Sequence, residues 1–320
     1  MKNKDIRAHN DSFRVICLSL MLFIITLLTV GCSFFSSINT TTKRMVRDIR
    51  SPHKDLKKKV GIAFFQNKTS FLNQAPEQRF VNDLVENLKK SCPNEILVKP
   101  GDTNYPEYLV ELPKNDSGWT NTLELANASR QLGFNAIVTG ALTNIIKKQE
   151  EQGFWWFEDI HHFFETHVSV EVYDTLTGAK LFDESFIHEV EIDEIDFEGM
   201  DTSADFMIPI INEAFTNIAN EMGEHVCSEI VLQPWQGYIT SVRADKIIIA
   251  SGKTVGIRPG GVFEVYDSSE IFNGSVGQQF FIPGLKTGEI KVTEVFTDSA
   301  EAVKISGQNI RVGSFIRPKE

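Results

Sequence analysis

Val60-Gly61-Ile62-Ala63-Phe64-Phe65 is an almost unbroken apolar run, closed by Gln66-Asn67-Lys68-Thr69. A strand that is apolar at both parities has both faces covered, as inner strands of a parallel sheet do. Pro76 then suits a first helical turn. Phe80, Val81, Leu84, Val85 and Leu88 recur at helical spacing as far as Lys90. Pro93 stops that helix, and residues 95–98 read as a second strand. Strand, helix, strand in this order predicts an α/β unit.

Further along, residues 121–132 predict a helix ending at Gly133, and residues 136–146 a long strand. Residues 166–174 and 179–191 flank Thr175-Leu176-Thr177-Gly178 and read as a hairpin. A helix follows to about residue 229, with Pro209 in its first turn because its ring breaks a helix interior. Ile211, Ala214, Phe215, Ile218, Met222 and Val226 form its apolar side, and residues 203–208 suggest a bent turn before it. The last eighty-odd residues switch to strand periodicity. Residues 238–242, 246–250, 262–266, 287–295, 301–305 and 314–317 are short runs punctuated by glycines, which predicts a small barrel. The expected fold is an α/β (α+β) domain with a mixed sheet over residues 57–232, then an SH3-like small all-β barrel over 233–320.

The N-terminus carries an address. Lys2, Lys4, Arg7 and Arg14 precede an uncharged run from Val15 that closes on Leu28-Thr29-Val30-Gly31-Cys32. Charged, apolar and small-residue regions stand in the order of an export signal. The ending resembles a bacterial lipoprotein signal, which implies cleavage of residues 1–31 and acylation, with palmitate-type chains, at Cys32. Two or more chains anchor a protein durably, at about 0.8 kcal/mol per buried methylene. An uncleaved membrane-spanning segment is the other reading of this run. Ser33 after the cysteine resembles lipoproteins sent to the outer membrane, with the inner membrane as the alternative. Residues 32–56 read as a tether, polar and then basic. The chain has 32 basic and 43 acidic residues, four and two of them before Cys32, so the remainder is net −13. That charge is ill suited to nucleic acid, whose binding rests on neutralising phosphates.

Several stretches resemble known families. Residues 60–69 followed by a helix look like the opening of the TolB amino-terminal and CsgG-like periplasmic domains. Asn135-Ala136-Ile137-Val138-Thr139-Gly140-Ala141-Leu142 resembles a later strand of those domains, and Val172 to Leu181 their hairpin. Gly237 to Ile249, Gly256 to Tyr266 and Thr287 to Val295 are similar to the C-terminal domain of the flagellar assembly T family. Members of that family also carry a TolB-like middle domain. This chain departs from them in lacking room for their extra N-terminal domain and in its lipid signal.

Chemistry is sparse. Gly252-Lys253-Thr254 has the tail of a phosphate loop, but Ile247 stands where its first glycine belongs, so a turn is expected. The acidic stretch Glu191, Asp193, Glu194, Asp196, Glu198 reads as solvated surface suited to a helix N-terminus, with binding of calcium or of a basic partner as the other reading. His167 and His188 lie on neighbouring strands. The apolar alternation sets them on opposite faces if the hairpin has a bulge or an odd loop, and on one face if it has a perfect four-residue loop. No residue is assigned to catalysis, and no metal or cofactor is expected. Cys92 and Cys227 remain beyond Cys32. In an oxidising compartment such a pair often bonds, but spacing alone leaves open whether the two reach each other.

Phe154-Trp155-Trp156-Phe157, then Ile160 and Phe163-Phe164, fall between two strands where a polar connection is expected. One reading is an amphipathic helix folded onto the domain's own sheet; the other is a docking patch for a partner or a membrane interface. The sequence thus predicts a non-enzymatic, lipid-anchored periplasmic adaptor docking an envelope complex, a flagellar ring or a curli or export apparatus. A homo-oligomer is compatible with this. The alternatives are an outer-membrane activator of a peptidoglycan synthase and, from another class, a metal-dependent hydrolase.

Overall fold

The computed structural model describes residues 56–69, 76–154, 156–202, 207–244, 246–274 and 278–319. The signal segment, Cys32 and nearly all of the tether lie outside them. Strand β1 (Lys59–Ile62) lies between β3 (Ile96–Val98) and β4 (Ala136–Phe154) and is parallel to both. A two-residue strand β2 (Gln66–Asn67) also pairs with β4. Antiparallel β5 (Phe157–Asp174) and β6 (Lys180–Ile192) complete a mixed sheet in the order β3-β1-β4-β5-β6.

Helix α1 (Pro76–Ser91) buries Phe80, Val81, Leu84, Val85 and Leu88, the residues whose spacing marks it. Helix α2 (Thr122–Gln131) starts at Asn121, whose side chain accepts from the Glu124 N–H, an ordinary N-cap. The acidic stretch after β6 forms α3 (Glu194–Thr202), and Asp193 Oδ1 accepts from Asp196 N at 2.8 Å. Helix α4 (Met207–Leu232) has Pro209 in its first turn. Helices α1 and α4 cover one sheet face, packing Leu84, Leu88, Phe215, Ile218 and Met222 on Val60, Ile62, Val138, Phe164, Val168 and Val170. The other face of β1 and β4 is covered by Leu109, Leu125 and Phe134. Two-sided burial is why the Val60–Phe65 run has no polar parity.

The C-terminal part is a closed barrel in the order β12-β13-β8-β7-β14-β9. Its strands are β7 (Gly237–Arg243), β8 (Lys246–Ile249), β9 (Val262–Tyr266), β12 (Lys286–Val295), β13 (Ala300–Gly307) and β14 (Phe315–Pro318). Ile239, Ile249, Val265, Ile290, Val292 and Ile316 fill it. Between β9 and β12 the chain makes a hairpin, β10 (Glu270–Asn273) and β11 (Gln279–Ile282), that the strand periodicity did not reveal.

The two halves share a buried polar seam. Arg130 Nε donates to Thr175 O at 2.8 Å, and a second guanidinium nitrogen donates to Leu176 O. The guanidinium lies 3.7 Å from the Phe281 ring centre. Burial pulls the Arg130 pKa down, opposed by Tyr238 and Asp174. Thr175 Oγ1 meets the Tyr238 hydroxyl at 2.9 Å, and Asn135 Nδ2 donates to Gln236 O at 2.7 Å. Gly133, at φ +72°, lies so close to the Ala250 carbonyl that any Cβ there overlaps it. The described residues accordingly pack as one unit.

Candidate functional site

β4 and β5 pair from end to end, with one register shift between Leu142 and Asn144. β6 follows only as far as Ile192, opposite His162. Residues 150–154 and 157–161 therefore continue alone as a two-stranded ribbon, about 17 Å long at ~3.4 Å per residue. This corrects the helix reading of the connection: the segment is not an amphipathic helix folded onto the sheet but a continuation of the sheet itself. The residues are polar because the ribbon is solvated on both faces.

Phe154 pairs with Phe157 at the far end, and Trp156 in the turn is 68% exposed. Ile160 is also exposed. Trp155, and the side chains of Phe154 and Phe157, lie outside the described residues. Phe163 and Phe164 do not belong to this tip, contrary to the sequence expectation of one docking patch. Both are buried, on opposite faces, because adjacent strand residues alternate. Phe164 joins the core beneath α1 and α4, while Phe163 lies against the His161 ring. At the ribbon's base the Phe197 ring of α3 lies 4.3 Å from that of His162. Lys147 Nζ donates to Phe197 O at 2.7 Å. The exposed Trp156 thus stands at the end of a ribbon whose base is braced.

On the sheet face opposite α1 and α4, register aligns Glu150, Glu165, Glu171, Asp183, Glu189 and Glu191. Lys148 bridges Glu150 (2.6 Å) and Glu189 (3.3 Å); Lys180 bridges Glu171 and Asp183, both at 2.8 Å. His161 Nδ1 meets Glu191 at 2.5 Å, and this bond raises the His161 pKa. His167 pairs with Glu165. Six carboxylates face two lysines, so the surface is net acidic.

The histidine question is closed by a bulge. The register shifts between Val172 and Tyr173, which puts His167 opposite Ile187 and His188 opposite Thr166. The two imidazoles therefore face opposite sides, and His188 meets Asn217 of α4 at 3.0 Å. Among the described residues no three His, Cys, Asp or Glu side chains gather as a metal site. Lys253–Val255 is a single 3-10 turn between β8 and β9. Cys92 and Cys227 are joined, with Cα atoms 5.7 Å apart. A cavity of about 250 Å³ lies between the halves, lined by Lys59, Phe134, Ala250 and Asp298 among others. Burial lowers the Lys59 pKa there, opposed by Asp298.

The strand read over residues 179–191 is present as β6; what the sequence did not show is that it forms the edge of the sheet. Ile187 is 56% exposed on the acidic face. Its signal was legible: an apolar residue out of parity with Phe182, Phe186 and Val190. Among the described residues no helix is long and apolar enough to cross a membrane.

No family model and no curated protein matches this chain. Among solved structures, it is similar to a hypothetical protein of Chlamydia trachomatis, at 12% identity over 55% of this chain and 99% of that one, with a TM-score of 0.35. The PelC dodecamer of Paraburkholderia phytofirmans matches at 12% identity, 52% and 87% coverage, and a TM-score of 0.28. A lipoprotein of Neisseria meningitidis matches at 10% identity, 48% and 99% coverage, and a TM-score of 0.28.

Proposed function

We propose that this chain is a lipid-anchored adaptor of a bacterial envelope, held by acylated Cys32 and docking a larger assembly through the tip of its β4–β5 ribbon. The observation that carries this is Trp156, 68% exposed at the end of a braced ribbon in a domain with a full core of its own. A large aromatic is costly to leave in water, and aromatics anchor protein interfaces. The acidic flanks Glu150, Glu151, Glu158 and Asp159 disfavour an anionic lipid surface and favour a protein partner. The role is binding, with no catalytic residue. In the finer reading the mixed-sheet domain is TolB- or CsgG-like and the barrel SH3-like, as in the flagellar assembly T family. The address is the periplasmic face of the outer membrane, and the partner a flagellar ring or a curli or export apparatus.

The test is affinity capture from crosslinked envelopes. The wild-type chain captures ring or export proteins, and Trp155→Ser with Trp156→Ser reduces that capture at least tenfold at unchanged thermal stability. The fold survives because the turn lies beyond the three-stranded part of the sheet. Unchanged capture rules the tip out as the docking element.

A further inference from the structure

The mixed sheet ends at β6, a strand of 13 residues. Among the described residues none bonds to its backbone on the side away from β5. Edge strands in soluble proteins are commonly short, interrupted by proline, bulged or covered by a loop. Residues 180–192 contain no proline or glycine, and the register shift lies at their start. Helix α4 packs on a face of the strand through Glu184 and His225 (3.3 Å), and α3 turns back toward β5, so neither of these helices covers the edge.

The side chains specify what can pair there. On its exposed face β6 carries Asp183, Ser185, Ile187, Glu189 and Glu191. A second copy is a poor match. Antiparallel self-pairing centred on Phe186 sets Asp183 opposite Glu189, and pairing centred on Ile187 sets Asp183 opposite Glu191. Like charges directly opposite across strands destabilise. Asp183, Glu189 and Glu191 each already meet one cation of their own sheet, Lys180, Lys148 and His161, yet the face stays net acidic, so lysine or arginine opposite them, with an apolar residue opposite Ile187, complements the row. We propose that the outer edge of β6 binds an extended basic strand of a partner protein by adding it to the sheet. Main-chain hydrogen bonds supply the affinity, and the acidic row selects the sequence.

The proposal deepens the adaptor reading by naming the chemistry of a partner, yet it uses neither the anchor nor the ribbon tip. Its probe is a synthetic peptide of alternating lysine and threonine with valine at its centre, long enough to face Asp183 through Glu191. Titrated into the full chain in detergent micelles, it binds saturably, and the amides of β6 exchange more slowly. Methylating the peptide nitrogens that face β6 weakens binding at least tenfold, as does Glu189→Lys with Glu191→Lys, both at exposed positions. Trp155→Ser with Trp156→Ser leaves the peptide's affinity unchanged, which separates this site from the tip. Equal binding by the methylated peptide, showing attraction by charge alone, overturns the proposal. So does unchanged exchange along β6 at saturation.

Discussion

Replacing both Cys92 and Cys227 with alanine lowers the unfolding free energy by about 5 kcal/mol. The bond joins the end of α1 to the second half of α4 across 135 residues of chain. In the chain-entropy description, opening a loop of that length frees the denatured ensemble by roughly this amount. Typical domains have only about 5–15 kcal/mol in total, so the loss is a third of the stability or more. Both cysteines are buried where the end of α1 meets α4, so alanine leaves only small voids. Urea titration of the double variant against the wild type measures it, with the wild type under strong reductant as a second arm. A loss under 1 kcal/mol in both arms means the denatured chain already holds α1 against α4.

Arg130→Met costs about 3 kcal/mol, the lower end of what breaking a buried charge network does. The substitution keeps most of the volume but leaves Thr175 O and Leu176 O without donors and strips the cation from the Phe281 ring. It also removes the positive charge near Asp174, which is itself buried and holds the Leu176 and Thr177 amides. Arg130→Lys restores little, because one ammonium cannot span two successive carbonyls as the planar guanidinium does. Since Phe281 belongs to the β10–β11 hairpin and Arg130 to α2, the expected calorimetric signature is a single transition splitting in two. A loss below 1 kcal/mol with one transition contradicts the view that this seam fixes the barrel to the mixed sheet.

Sequence made legible what depends on near neighbours. The two-sided burial of Val60 to Phe65 and the apolar stripe of α1 are local patterns, and the packing they imply is the packing observed. The parity of Val168, Val170 and Val172 against Phe182 and Phe186 pointed to a bulge or an odd loop but left a perfect four-residue loop open; the structure has the bulge, at Val172 and Tyr173. The ribbon was illegible for the opposite reason. Residues 149–162 are mostly polar, and polar strands solvated on both faces have no apolar period to read. Phe163 and Phe164 were assigned to the tip because one-dimensional proximity does not show that alternating residues part to opposite faces. The Arg130 seam draws on α2, the β5–β6 turn, β7 and β11, segments as far apart as Arg130 and Phe281, so no window contains it.

Intact-mass and peptide mass spectrometry of the native protein, extracted from membranes, decides whether Cys32 is the acylated N-terminus. The expected species is a mature chain that begins at Cys32 and carries the added mass of its acyl chains. A chain that retains residues 1–31, with an unmodified thiol at position 32, contradicts it.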